Sequence, residues 1–434
     1  MTEIAFEEIR AGDMASVTES MSTVTEEQVA GALEVSEWTD ALHVLRSRDF
    51  DIPQPHDGFG WDWQAQMMGD SVNHLQGREH AERRKVVSFL IRSENLRRYE
   101  AQVLLPSIGR VLEELGITNR GPDGVVRADL AIVAETILLA LMAEIVGLDG
   151  ISGNPENLEK FREQFRRLDA GNRVRYTTAD PETVLKKGLD AQSDILRDFF
   201  EPAWARYEQM LADVEGGKRD AHEVPDNLIT LMLRNRDHYS HWGPHVYGRE
   251  VSLFIGASVG STSTTVCNTF EEIERWIDGH AEDADRRLDE AFLLRSLEDA
   301  VRLRGTVWLN RVAVADSTLP SGKAIPKGQF VWINLAACYP GVLGHDAFTF
   351  NPFREMPPRF PHPGGGFGNG PHVCLGKSLV MGEGLDEGER RGTALTLLTH
   401  LYRAGMRRDD ENQGTLGDSV RKKYTSCPVR FDSL

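Results

Sequence analysis

Apolar residues recur at three- and four-residue spacing along most of this chain, the mark of amphipathic helices. Residues 98–116 (RYEAQVLLPSIGRVLEELG), 185–214 (LKKGLDAQSDILRDFFEPAWARYEQMLADV) and 286–304 (RRLDEAFLLRSLEDAVRLR) each carry that pattern. Runs with strand character are short and late, TVWLNRVAVAD and QFVWINLAA, and turn-rich STLPSGKAIPKG joins them. Strands and helices do not alternate, so a doubly wound α/β fold is not expected. The pattern predicts a mainly α fold with a small β portion. It also predicts one domain over residues 1–434, with about the first 35 residues unassigned. Gly and Pro thicken between 340 and 376, which reads as a long ordered loop region.

The longest apolar run, LAIVAETILLALMAEIVGL at 130–148, is broken by Glu135, Thr136 and Glu144. A buried helix is expected there and not a membrane span. Of 434 residues, 40% are hydrophobic and 27% charged, as in a soluble globular protein. Net charge is −18, from 49 basic and 67 acidic residues, which argues against general binding to nucleic acid or to an anionic membrane. Cys267, Cys338, Cys374 and Cys427 are widely spaced, so neither a disulfide framework nor a zinc site is suggested. A reducing, cytoplasmic setting is the expectation, and MTEIAFEEIRAGDM lacks the order of a signal peptide.

Cys374 stands out because of its setting, GGGFGNGPHVCLGKSL at 364–379. The spacing is wrong for a phosphate-binding loop, and MPPRFPHP is a poor strand for a dinucleotide fingerprint. One thiolate is enough for haem iron. Gly366, Gly368 and Gly370 would let backbone approach a flat macrocycle, and a helix start behind Cys374 would favour its thiolate.

Phe367, Gly370, His372, Cys374 and Gly376 match Phe-x-x-Gly-x-(Arg/His)-x-Cys-x-Gly, so the loop resembles the haem loop of the cytochrome P450 family, bacterial type. The resemblance covers roughly residues 35 to 430 and implies the fold of that family with haem b ligated by Cys374. It places Phe367, Gly368, His372 and Gly376 at the cofactor. His80 and Arg84, four apart in LQGREHAERRKVV, resemble a His-x-x-x-Arg helix that binds a haem propionate, and Arg311 falls at another propionate-binding position. Asp299 and Arg302 resemble the structural Glu-x-x-Arg pair with the acid one methylene shorter. Phe350, Pro352, Arg354 and Glu383 fit further scaffold positions.

The central helix departs from the resemblance. Thr264 lies 35 residues before Asp299, where the family's oxygen-handling Thr belongs, but Ser263 stands where an acid usually precedes it. Ser263 passes a hydrogen bond without supplying a proton as a carboxyl does. Thr264 and Ser263 are the candidate catalytic pair, with protons coming from water or from an acidic substrate, or with chemistry other than plain hydroxylation. Substrate-facing positions are Trp61, Trp63, Met67, Met68, Ser258, Val307, Trp308, Leu309 and Asn310.

The resemblance implies monooxygenation of a small organic molecule, as tailoring in bacterial specialised metabolism. Electrons would come from NAD(P)H through a separate ferredoxin and ferredoxin reductase, and a carrier protein is a candidate for presenting the substrate. The alternatives are peroxygenase chemistry, desaturation, ring formation or N-oxidation and, more remotely, a non-catalytic haem or carrier-protein-binding module. The basic stretch Arg78 to Arg98, including Arg83, Lys85, Arg92 and Arg97, together with Lys377, is the candidate ferredoxin-docking face.

Overall fold

The computed structural model describes residues 31–58, 60–237, 245–305, 309–416 and 423–434. Helices run in order α1 (Trp38–Arg46), α2 (Trp61–Met68), α3 (Gly77–Val87) and α4, which passes from Ser93–Tyr99 through a π-helical turn at Glu100–Leu104 into Leu105–Thr118. Then come α5 (Leu130–Val146), α6 (Pro155–Asn172) and α7, which passes from Pro181–Ile195 through a second π turn at Leu196–Phe200 into Glu201–Glu215. They are followed by α8 (Leu228–Arg234), α9 (His245–Gly279), α10 (Glu290–Leu303), the short α11 (Leu335–Cys338) and α12 (Pro340–Leu343), α13 (Lys377–Met381) and α14 (Thr393–Arg403).

The apolar run at 130–148 is α5, buried on nearly every face against the core. Asp129 caps it by accepting from the Ala131 amide, and Gly147, left-handed at φ 92°, ends it. Among the described residues no helix is long and apolar enough to cross a membrane. The third periodic stretch divides. A 3₁₀ turn at Ala281–Leu288 stops at Asp289, whose carboxylate accepts from the Ala291 amide and starts α10.

The β portion is small, as expected. One sheet runs β1 (Leu33–Val35), β7 (Phe330–Ile333), β4 (Leu309–Ala313), β2 (Phe50–Asp51), with β1 parallel to β7 and the other pairs antiparallel. A second is β3 (Val126–Asp129), β11 (Pro428–Phe431), β8 (Met406–Arg408). Two hairpins complete it, β5 (Ser317–Thr318) with β6 (Ala324–Ile325), and β9 (Thr415–Leu416) with β10 (Tyr424–Ser426). α9 runs 35 residues through the molecule, against α5, α6, α10 and α14. It sets the position of everything that follows.

Candidate functional site

A cavity of about 390 Å³ lies between α9 and the loop that carries Cys374. α2, α3, α6, α10 and β4 close its sides, and Cys374, Phe367, Gly376, His80, Arg84, Arg311, His372 and Thr264 all line it. Chain segments almost 300 residues apart therefore converge on one space. Cys267, Cys338 and Cys427 are buried elsewhere, and all four cysteines are free.

The loop is held by backbone. The Cys374 amide donates to the Phe367 carbonyl at 2.9 Å, and Arg46 Nε donates to Asn369 Oδ1 at 2.9 Å. Its glycines answer to protein neighbours and not to a macrocycle. A Cβ at Gly370 would sit 2.0 Å from the Leu45 carbonyl oxygen of α1, and one at Gly366 would sit 2.6 Å from Val301 Cγ1 of α10. Gly376 alone of these faces the sulfur, 3.9 Å from Cys374 Sγ.

The expected thiolate preference is also corrected. Burial pushes the Cys374 thiol up; the Gly376 and Lys377 amides, Arg84 and the Lys377 charge only partly offset it. The helix behind it, α13, has five residues and stops at Gly382, too short to contribute a full dipole. Deprotonation must come from a bound metal, as it does for ligating thiols generally.

Cationic groups gather beside the sulfur. Arg84 donates from Nη2 to the Val373 carbonyl at 2.7 Å, and the buried Arg311 donates to the Asn310 carbonyl at 2.7 Å. Among the described residues neither has a carboxylate within ion-pair reach, and burial lowers Arg311 to about 10. His80 stacks on His372 with ring centroids 3.9 Å apart, and burial with its cationic neighbours holds it near 4. His372 Nε2 meets Asp51 Oδ1 at 2.8 Å while its buried Nδ1 has no partner. Buried cations without counter-charge are costly unless a ligand supplies one. A flat group with two carboxylates and an iron that takes one sulfur fits this donor set: haem. The sequence named all of these residues except Asp51, whose only signal would have been its place on a short strand facing β4.

The opposite wall is α9. Its hydroxyls bond back to the preceding turn: Ser261 to Ala257, Thr264 to Gly260 at 2.7 Å, Thr265 to Ser261, and Thr269 to Thr265. Ser263 is placed differently from its expected role. It is buried, off the cavity wall, with its hydroxyl 3.3 Å from the Gly260 carbonyl.

A carboxylate reaches this wall from another helix. Asp169 of α6 lines the cavity so close to Gly260 that a Cβ there would lie 2.7 Å from its Oδ1. Burial raises the Asp169 carboxyl, but Arg173 at 2.6 Å and Lys423 at 3.2 Å outweigh it and leave the group below its ordinary value. Sequence reasoning missed this cluster, because it joins α6 to the hairpin strand near residue 424 with no local motif.

The Asp299–Arg302 pair closes fully despite the shorter acid. Arg302 Nε donates to Asp299 Oδ1 at 2.6 Å, both are buried, and Arg354 Nε stands 3.7 Å from the same oxygen. Glu383 lies beyond the end of α13 and accepts from Ser93 Oγ at 2.9 Å. Of the substrate candidates, Trp61, Met68, Ser258, Leu309 and Asn310 line the cavity. Trp63 and Met67 pack into the core instead, Met67 between Gly171 and Gly188. Val307 and Trp308 lie outside the described residues.

The basic stretch is also partly reassigned. Arg83 is fully buried in an ion pair with Glu250, Arg78 pairs with Glu82, Arg97 with Glu383, and Arg98 with Glu144. Lys85, Arg92 and Lys377 remain exposed.

No family model and no curated protein matches the sequence. Solved structures do match the fold. The chain is similar to CYP154A1 from Streptomyces coelicolor A3(2), with TM-score 0.68 and 18% identity over 96% of this chain and 98% of that one. It is similar to CYP109E1 from Bacillus megaterium in complex with testosterone, with TM-score 0.66 and 15% identity over 97% and 99%. It is also similar to P450BioI in complex with hexadec-9Z-enoic acid ligated acyl carrier protein, with TM-score 0.65 and 15% identity over 92% of each. The chain has the cytochrome P450 fold, and Cys374 stands on the wall of its central cavity.

Proposed function

We propose that the chain is a haem-thiolate oxidoreductase that monooxygenates a small organic molecule, as bacterial tailoring enzymes do, in the cytoplasm. The observation that carries this is the cavity wall where Cys374 stands beside Arg84 and Arg311, two cations with no carboxylate in reach among the described residues. Haem b bound there would supply dioxygen activation and two-electron oxidation of the substrate.

The chain's own groups do the rest. Cys374 gives the axial sulfur. Arg84, Arg311 and the free Nδ1 of His372 hold the propionates, and Asp51 fixes the His372 ring so that this nitrogen faces them. Phe367 and Gly376 leave the sulfur accessible from one side. On α9, Thr264 gives its proton to the Gly260 carbonyl, which leaves its oxygen free to accept from water or substrate in the cavity.

Electrons would come from NAD(P)H through a ferredoxin and its reductase. Lys85 and Lys377, exposed on the side of the Cys374 loop, are the charges offered to an acidic partner. Charge reversal at both is expected to raise the apparent KM for ferredoxin without changing peroxide-driven turnover. An unchanged KM would remove that face from docking. A carrier-borne substrate is compatible with the fold, since P450BioI was solved with an acyl carrier protein.

A second reading is favoured by Ser263: with no acid on α9 itself at that turn, oxidation by peroxide, or a desaturation, ring formation or N-oxidation, needs less proton delivery than hydroxylation with dioxygen. Turnover with dioxygen and a ferredoxin system, compared with peroxide alone, separates the two. Product formation only with dioxygen and electrons supports the monooxygenase. Product only with peroxide supports the alternative.

A further inference from the structure

We propose that the substrate of this cavity carries a carboxylate on an apolar body, and that Arg175 binds that carboxylate. The inference rests on the cavity being the substrate site, as proposed above, and adds what the cavity selects.

Arg175 sits in the 3₁₀ turn Val174–Tyr176 that follows α6, and it lines the cavity. Its guanidinium stands 4.5 Å from the centre of the Trp61 ring and 4.8 Å from that of Tyr176. Stacking holds the plane of the group and leaves its edge donors unspent. Among the described residues it has no ion pair and no hydrogen-bonded carboxylate, and burial lowers its pKa.

Its neighbours differ in just this respect. Arg173 pairs with Asp169, Arg249 with Asp70, Arg304 with Glu272, and Lys423 with Glu135 and Asp169. Arg84 and Arg311 share the lack of a carboxylate, but they flank Cys374 and are taken by the propionates.

The surroundings of Arg175 are short of partners too. Trp61 Nε1, Gln64 Oε1, Asn172 Oδ1 and His74 Nε2 are buried without a hydrogen bond. Trp61, Gln64 and Asn172 line the same cavity. Trp61 Nε1 is a second donor of the type a carboxylate accepts, and Gln64 and Asn172 offer acceptors to a hydroxyl or amide nearby. Buried polar atoms are rarely left unpaired, so several around one unpaired cation point to an absent ligand.

The chain is also shaped to keep Arg175 there. Gly60, left-handed at φ 73°, starts α2 so close to it that a Cβ would lie 2.8 Å from Arg175 Cβ. Met68, Leu90, Met142, Ile145, Leu253 and Phe254 provide the apolar wall for the remainder of the substrate. A cavity with one buried, unpaired Arg selects acids over their neutral counterparts, because the neutral compound leaves the charge uncompensated.

The test uses the haem-loaded full chain and two acids, dodecanoate and 3-(indol-3-yl)propionate, each against its own primary amide. Binding is read by calorimetry and by the ligand-induced Soret shift, in wild type, Arg175→Gln and Arg175→Lys. At least one acid is expected to bind about 10- to 100-fold more tightly than its amide. Arg175→Gln should erase that preference while leaving amide affinity and thermal unfolding unchanged, and Arg175→Lys should keep part of it. Equal binding of acid and amide for both pairs, no binding of either acid, or a preference that survives Arg175→Gln overturns the proposal. Calorimetry on the same samples reports acid preference whatever the iron ligand is, so a failed haem-thiolate reading and a failed carboxylate site give different results.

Discussion

The two walls of the cavity are built on different plans. On the Cys374 side, five of the lining groups come from one twelve-residue loop and one helical turn, held by local backbone bonds and by glycines fitted against α1 and α10. On the α9 side the charges arrive from elsewhere, Asp169 and Arg173 from α6, Lys423 from the hairpin and Arg175 from the turn beyond α6. The first wall keeps a cofactor. The second is assembled from distant segments and is free to vary with the substrate. What the comparison teaches is that the acid missing from position 263 is not missing from the cavity: Gly260 leaves the room through which Asp169 reaches the same turn.

The first way to test this contrast is to break the scaffold that both walls share. Arg302→Met removes the partner of buried Asp299 and should cost about 3–5 kcal/mol, because an uncompensated buried charge remains. Thermal unfolding and haem content should both fall. A loss under about 1 kcal/mol would show that Asp299 is satisfied by Asn351 and Arg354 alone.

On the cofactor wall, Arg311→Leu should act in opposite directions on two observables. It relieves a buried cation in the haem-free protein and so raises its unfolding temperature. It also removes a charged hydrogen bond to a propionate, about 1.5–3 kcal/mol, or a roughly 10- to 100-fold faster loss of haem to a scavenger protein. A change in the same direction for both would mean Arg311 serves packing only.

On the other wall, Gly260→Ala drives a methyl into Asp169 Oδ1 and should cost about 1–3 kcal/mol. In the Asp169→Ala background the same change should cost far less, a non-additivity readable by denaturant unfolding. Additive costs would separate Asp169 from the α9 turn.

Acid adds a smaller effect beside α2. Burial, with Arg175 nearby, keeps His74 neutral with a pKa of about 4, below its ordinary 6.5. The unfolded chain binds that proton first, so stability is constant above about pH 6.5 and falls by up to about 1.4 kcal/mol per pH unit as the pH drops toward 4. His74→Gln should flatten that slope. The smallest effect is expected from Ser263→Ala, within about 0.5 kcal/mol and with no change in peroxide leakage, since its hydroxyl does not face the cavity. Thr264→Ala should raise leakage.

The sequence reveals these walls unequally for the same physical reason. Motif residues that touch each other through one loop or one helical turn, such as Cys374 with Phe367 or His80 with Arg84, keep their spacing in the chain and can be read there. The helical cores of α4 and α7 were legible from periodicity, yet their π turns were not, because a one-residue slip in bonding leaves the apolar pattern nearly intact. The pairing of β1 with β7 and of β3 with β11 joins segments about 300 residues apart. Asp169, Lys423 and Arg175 were missed likewise, since nothing local distinguishes a charge that will face a cavity from one on a solvated helix. Ser263 was placed one helical face wrong for the opposite reason: alignment to a motif gives order along the chain and not which way a side chain turns.

The central claim is that Cys374 holds a haem iron through its sulfur. The absorption spectrum of the haem-loaded protein, reduced and exposed to carbon monoxide, tests it most directly. The account predicts a thiolate-type Soret band in the wild type and its loss in Cys374→Ala. A wild-type band of the imidazole type, or a thiolate-type band that survives Cys374→Ala, would contradict it.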